Sequence, residues 1–148
     1  MSLEAIAIRP AHRRTMTELV EARITLAHGV EGDFGGKPGR RQVTVLSTEA
    51  WHEACSDLGT DLSWLLRRAN LLVRGPGLAR TVGALLRIGD VVLEITGETT
   101  PCRRMDEQHP GLQKALEPDW RGGVCCKVRT AGTVRVGDCV GDCVEFDS

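Results

Sequence analysis

The chain has 148 residues, 41% of them hydrophobic and 26% charged, a length and balance that suit one globular domain over residues 1–148 with a core of its own. A net charge of −1, a pI near 6.4 and an aromatic content of 3% with no tyrosine exclude the basic, aromatic-lined groove on which nucleic acid stacks. The N-terminus carries Glu4 and Arg9 with no continuous apolar stretch, and no apolar run reaches membrane-spanning length, so the sequence predicts a cytoplasmic protein with no membrane role.

Short apolar, β-branched runs dominate from the start. Leu3 to Arg9 alternates and predicts a strand, and Leu19 to Leu26 predicts another. Gly29 to Gly39 holds five glycines and Pro38 and predicts a long loop. It has no Gly-x-x-x-x-Gly-Lys string and no dinucleotide fingerprint, so it is not a P-loop or a Rossmann turn. Arg41 to Leu46 follows as a strand. Ser47 or Thr48 can cap the next helix, whose Ala50, Trp51, Ala54, Cys55 and Leu58 share a face, and Gly59 ends it. Cys55 is therefore a packing residue.

Leu62 to Leu66 is ambiguous, and Asn70 to Arg74 predicts a strand. Leu85 to Val92 and Thr133 to Val140 echo one another as apolar-Arg-apolar-Gly-Asp-x-Val, each predicting a hairpin around its Gly-Asp pair. Pro110 opens a short helix carrying Leu112, Ala115 and Leu116, which Pro118 ends; Val124 to Thr130 is a further strand. Seven to nine strands and two or three short helices predict a mainly β fold, a β-barrel core with helices packed on it.

Six cysteines (Cys55, Cys102, Cys125, Cys126, Cys139 and Cys143) in a reducing compartment do not make a disulfide framework. No C-x-x-C pair exists, and Cys139 and Cys143, four apart on a strand, would stand roughly 13 Å apart, too far to share a metal. Cys102 is different. It follows Pro101, which stops the strand before it, and precedes Arg103 and Arg104, whose charges favour thiolate. A thiolate on a loop suits nucleophilic sulfur chemistry or soft-metal binding.

Three more pieces could converge on it: Arg67-Arg68-Ala69-Asn70, the glycine loop with Arg40 and Arg41, and Trp120-Arg121-Gly122-Gly123-Val124. Arginines with glycine-exposed N–H groups are what a phosphate-bearing ligand needs, and Arg41 and Gly123 enter the candidate set on that ground. Solvated surface arginines and turn glycines would look the same. Sixteen of the nineteen basic residues are arginine. His28 could face the loop. Glu31 and Asp33 could orient a ligand or simply make a turn.

The ordered set Gly29-Val30-Glu31-Gly32-Asp33, Arg41 to Leu46, Arg68-Ala69-Asn70-Leu71, Leu86 to Asp90, Pro101-Cys102-Arg103-Arg104 and Val134 to Asp138 resembles the MOSC domain, in its stand-alone bacterial form. The resemblance implies a strand-rich barrel that binds molybdenum cofactor, a pyranopterin dithiolene carrying a phosphate. It implies that Cys102 either ligates molybdenum or carries sulfur, and that Arg68, Asn70, Arg103 and Arg104 grip the cofactor. In the two-domain reductase branch a second loop cysteine, three positions on, binds the metal; Met105 stands there in this chain. A histidine that often follows the Gly-Asp of the glycine loop is replaced by Phe34.

Three functions follow from that resemblance. The first is a molybdenum-dependent reductase of N-hydroxylated or N-oxide compounds, drawing electrons from a donor protein because the chain shows no flavin, haem or iron–sulfur motif. The second is a sulfur carrier holding a persulfide on Cys102, loaded by a sulfur donor. The third is a non-catalytic cofactor-binding module. Pyridoxal phosphate is a family association only: the family's sulfurases carry it on a separate domain, for which this chain has no room, and none of Lys37, Lys114 and Lys127 suggests a Schiff base.

Overall fold

The computed structural model describes residues 1–12, 14–141 and 144–145, the last two by backbone alone. Cys143, and with it the Cys139–Cys143 spacing, lies outside the described residues. Among the described residues, eleven strands run in chain order as β1 (Ser2–Ile8), β2 (Thr17–Leu19), β3 (Glu21–Thr25), β4 (Gly29–Val30), β5 (Val43–Ser47), β6 (Leu71–Arg74), β7 (Ala84–Ile88), β8 (Val91–Glu98), β9 (Val124–Thr130), β10 (Gly132–Arg135) and β11 (Val144–Glu145). Three helices join them: α1 (Thr48–Leu58), α2 (Arg103–Gln108) and α3 (Leu112–Leu116), with 3₁₀ turns at Trp64–Arg67 and Pro118–Trp120.

Eight strands form one sheet in the order β11-β7-β8-β9-β5-β6-β1-β2, and β10-β3-β4 form a second. The mainly β expectation holds, but the large sheet is open from β11 to β2 rather than closed into a barrel. The apolar faces of both sheets meet in one core that includes Leu3, Ile6, Ile24, Val45, Leu86, Leu93, Ile95 and Val134. A second core lies between the helices and the residues of β1 and β5 that point the other way. There Ala7 and Leu46 meet Trp51, Ala54, Cys55, Trp64, Met105, Leu112 and Leu116. Strand β5, with Val43, Val45, Leu46 and Ser47 buried, is covered on both faces.

Helix α1 forms as its sequence dictates. Ser47 accepts a hydrogen bond from the Ala50 N–H, and Gly59 ends the helix in the left-handed region at φ 71°. Because α1 crosses over between β5 and β6, those two strands pair in parallel, with Val45 opposite Leu71. This places the ends of both strands beside the 3₁₀ turn at residues 64–67.

Three expectations are corrected. The run from Leu19 to Leu26 is two strands, not one: the chain bends at Val20, so β2 pairs with β1 while β3 pairs with β10 and β4. The first Gly-Asp pair does turn a hairpin between β7 and β8. The second does not: beyond Gly137-Asp138, Cys139 bridges to Ser2 and Val140 to Ile88. Finally, the Cys102 loop is short, because α2 starts at the next residue.

Gly123 lies at φ +96°, and a Cβ there would meet the Val45 carbonyl oxygen at 2.4 Å. Gly137, at φ +98°, has open space around that position. Gly123→Ala is expected to destabilise the protein by about 3 kcal/mol or more, and Gly137→Ala by about 1–2 kcal/mol, as measured by urea unfolding. Equal losses would show that packing of β9 on β5 does not require this glycine.

Candidate functional site

Strand β8 ends at Glu98, and Thr99 N–H donates to Gly123 O at 2.9 Å, holding the chain beside the start of β9. Pro101 is buried. Cys102 is extended (φ −124°, ψ 177°) at the residue before α2, and its carbonyl accepts from Met105 N–H at 2.9 Å. Met105 is 2% exposed and packs into the second core. The backbone on both sides of Cys102 is thus anchored, while its thiol makes no capping bond and the residue is exposed.

The anchor is Arg67, a buried arginine at 7% exposure. Its Nε–H donates to Gly122 O at 2.9 Å, its Nη2–H to Thr99 O at 2.7 Å, and its Nη1–H to the Met105 sulfur at 3.7 Å. Thr99 and Met105 stand three residues before and three after Cys102, so one guanidinium ties both flanks of the thiol. Burial lowers the Arg67 pKa from its ordinary value; the neighbouring charge of Cys102 raises it, Arg41 lowers it and Glu98 raises it. Gly122 has to be glycine here, since a Cβ would lie 2.7 Å from Thr99 O.

Arg68 follows in the left-handed region (φ 65°, ψ 32°), where its N–H closes the 3₁₀ turn onto Leu65 O. Such a backbone is uncommon for a non-glycine residue. A cavity of about 180 Å³ is lined by Arg41, Arg67, Arg68, Arg104, Thr99 and Cys102 over an apolar floor of Val45, Ala69 and Met105. A second, also about 180 Å³, shares Arg41, Thr44 and Arg68 with it and adds Arg9, Asp33 and Asn70. Joined, they reach the size at which small-molecule sites begin, ~300 Å³.

The charge in this groove is one-sided. Among the described residues, Arg9, Arg41, Arg67, Arg68 and Arg104 form no ion pair, whereas Arg74, Arg121, Arg129 and Arg135 elsewhere each meet a carboxylate. Asp33 is committed to the backbone, accepting from Arg9 N–H at 2.8 Å and Gly35 N–H at 3.0 Å. The Arg68 pKa is lowered, first by desolvation and then by the like charges of Arg9 and Arg104. Thr99, a residue of the cavity wall, is 8% exposed, and its buried hydroxyl has no hydrogen-bond partner.

Of the residues singled out by sequence, Cys102, Arg41, Arg68 and Arg104 come together in one cavity. Asn70 lines the adjoining one, but its amide is already engaged: Oδ1 accepts from Thr44 N–H at 3.1 Å, and Nδ2 donates to Ala7 O at 3.2 Å. Asn70 ties β6 to β5 and β1. Arg103 is exposed and does not line the Cys102 cavity. Gly123 is buried against β5, and its neighbour Gly122 is the one on the cavity wall. His28 is exposed and lies outside both cavities. Sequence reasoning missed Arg67 as a distinct member of its cluster, along with Thr99 and Met105. An arginine following the apolar Trp64-Leu65-Leu66 was the available signal.

The structure thus joins a strand-rich fold to one exposed thiol in an arginine-lined groove. The MOSC domain family model matches residues 24–141, and the chain belongs to that family. Its fold is shared with the YuaD protein of Bacillus subtilis (TM-score 0.79, 23% identity, covering 94% of this chain and 93% of that one). It is shared also with YiiM of Geobacillus stearothermophilus (0.72, 15%, 97% and 75%) and YiiM of Escherichia coli (0.69, 14%, 100% and 72%). A search of curated proteins returns no match. Among the described residues, no helix is long and apolar enough to cross a membrane.

Replacing Arg67 by methionine leaves the Gly122 and Thr99 carbonyls buried without their donor. The expected loss is about 2–4 kcal/mol in urea unfolding, with Arg67→Lys recovering part of it. Alkylation of the native protein is expected to modify Cys102 and Cys139, both exposed, well before Cys55 and Cys125, both buried; peptide mass spectrometry reads the order. Early labelling of Cys55 would contradict this placement.

Proposed function

We propose that this protein binds molybdenum cofactor with the Cys102 thiolate as metal ligand and reduces N-hydroxylated compounds. The observation that carries the reading is an exposed thiol lining a cavity with four guanidiniums, none of them ion-paired with a carboxylate among the described residues. The donor set fits a metal that arrives with ligands of its own. Among the described residues no group of three or more His, Cys, Asp and Glu side chains is placed to hold a metal ion, so Cys102 can supply only one bond.

Each residue has a definable task. Cys102 presents its sulfur from an anchored backbone. Arg41, Arg67, Arg68 and Arg104 hold the anionic ligand, the planar guanidinium being suited to paired contacts with phosphate. Val45, Ala69 and Met105 give the cavity an apolar floor. When bound, the cofactor would supply the two-electron chemistry that cleaves an N–O bond. Electrons would come from a separate donor protein.

The same exposed, single thiol favours a second reading, a sulfur carrier with a persulfide on Cys102. A bound cofactor without turnover would mark a storage module. Expression in a cofactor-competent host separates them. The expected result is about one molybdenum and one pterin per chain, retained by Cys55→Ser and lost in Cys102→Ser, with reduction of an N-hydroxylated base. Cyanide-releasable sulfur on Cys102 without metal would establish the carrier instead. Identical behaviour of the two variants would remove Cys102 from either role.

A further inference from the structure

A third cavity, of about 270 Å³, opens on the far side of Arg68 and is lined by Arg9, His12, Arg68, Arg104, Glu107 and Gln108. It shares Arg68 and Arg104 with the cavity of Cys102, and Arg9 and Arg68 with the one between. Arg68 therefore stands where all three meet. The backbone of this residue is left-handed.

The outer cavity is built in advance. Arg9 lies over the Phe34 ring, 5.5 Å from guanidinium carbon to centroid, and His12 packs on the same ring at 5.6 Å with a 45° tilt. The backbone is clipped on both sides: Arg9 N–H donates to Asp33 at 2.8 Å, and Phe34 N–H donates to Arg9 O at 2.8 Å. Phe34, half exposed, thus has a task as a platform that fixes a cation. Glu107 lines the same cavity but pairs with none of its arginines. Three guanidiniums and an imidazole are gathered beside that single carboxylate, and among the described residues none of the three guanidiniums is ion-paired.

We propose that Arg9, His12, Arg68 and Arg104 form an outer phosphate subsite, and that the molecule acted on at Cys102 carries a phosphate group there. This inference rests on the proposed function for its second half, and its first half stands alone. A phosphate could come from the substrate or from the cofactor itself, and the two sources are separable.

The test is calorimetric titration of the full chain with inorganic pyrophosphate, with and without cofactor loaded. Saturable binding is expected in wild type, Cys102→Ser and Arg87→Ala alike, weakened about ten-fold or more in Arg9→Ala and Arg104→Ala, and kept in the loaded protein. In turnover, Arg9→Ala should raise KM for a phosphorylated N-hydroxylated nucleoside and leave KM for the unphosphorylated one unchanged. No saturable binding, or equal weakening by Arg87→Ala, would overturn the subsite. Loss of pyrophosphate binding on loading would assign it to the cofactor and overturn the substrate class. Failure of molybdenum to bind leaves the pyrophosphate result standing, so the two readings fail separately.

Discussion

One buried guanidinium holds the thiol loop together. Arg67 comes from the 3₁₀ turn, and its three hydrogen bonds reach the end of β8, the turn before β9 and the buried face of α2. These are the segments that could otherwise drift apart around Cys102. Burying a charge among neutral acceptors is expensive, and an apolar residue with apolar neighbours often serves stability as well or better. Stability alone therefore does not account for an arginine here. What an apolar plug cannot do is fix two backbone carbonyls at defined distances and leave a positive charge beside a sulfur. Arg67 does both, and the same depth that makes it costly makes its field weakly screened.

The division of the chain into two cores explains where the groove sits. The sheets bury their shared faces against each other, while α1, α2 and α3 bury the opposite faces of β1 and β5. The groove opens along the seam between the sheets and the helical layer, near the ends of the parallel pair β5 and β6. Segments there leave regular pairing, so backbone groups and long side chains reach the surface together. An arginine-rich composition with few lysines suits such a seam, since a planar guanidinium can lie flat against packed atoms and still donate outward.

Much of this was legible in the sequence where a local rule had a single solution. Ser47 and Gly59 marked both ends of α1, Gly89-Asp90 turned the first hairpin, and Leu112, Ala115 and Leu116 declared the buried side of α3. The second Gly-Asp pair carried the same local signal but a different outcome, because the strand after it found Ser2 and Ile88 as partners rather than β10. Pairing is non-local, and no turn motif specifies it. The run around Val20 failed for the same reason: its alternation is strand-like throughout, and only competition between two sheets breaks it. Helix α2 escaped notice because one turn and a half carries too little periodicity to register.

At the site, chemistry was easier to read than depth. The Pro-Cys-Arg-Arg string pointed to Cys102, yet its two arginines part company: Arg104 lines the cavity and Arg103 does not. Consecutive residues on a helix face different ways, so adjacency in sequence argues against shared function once α2 is recognised. The pair Arg67-Arg68 shows the opposite case. One residue is buried as an anchor and the next, on a left-handed backbone, lines the groove, so neighbours that look redundant do two jobs. Glycine would relax that backbone at no steric cost. That arginine occupies it instead argues that its side chain is worth the strain, and the groove is the place where that side chain goes.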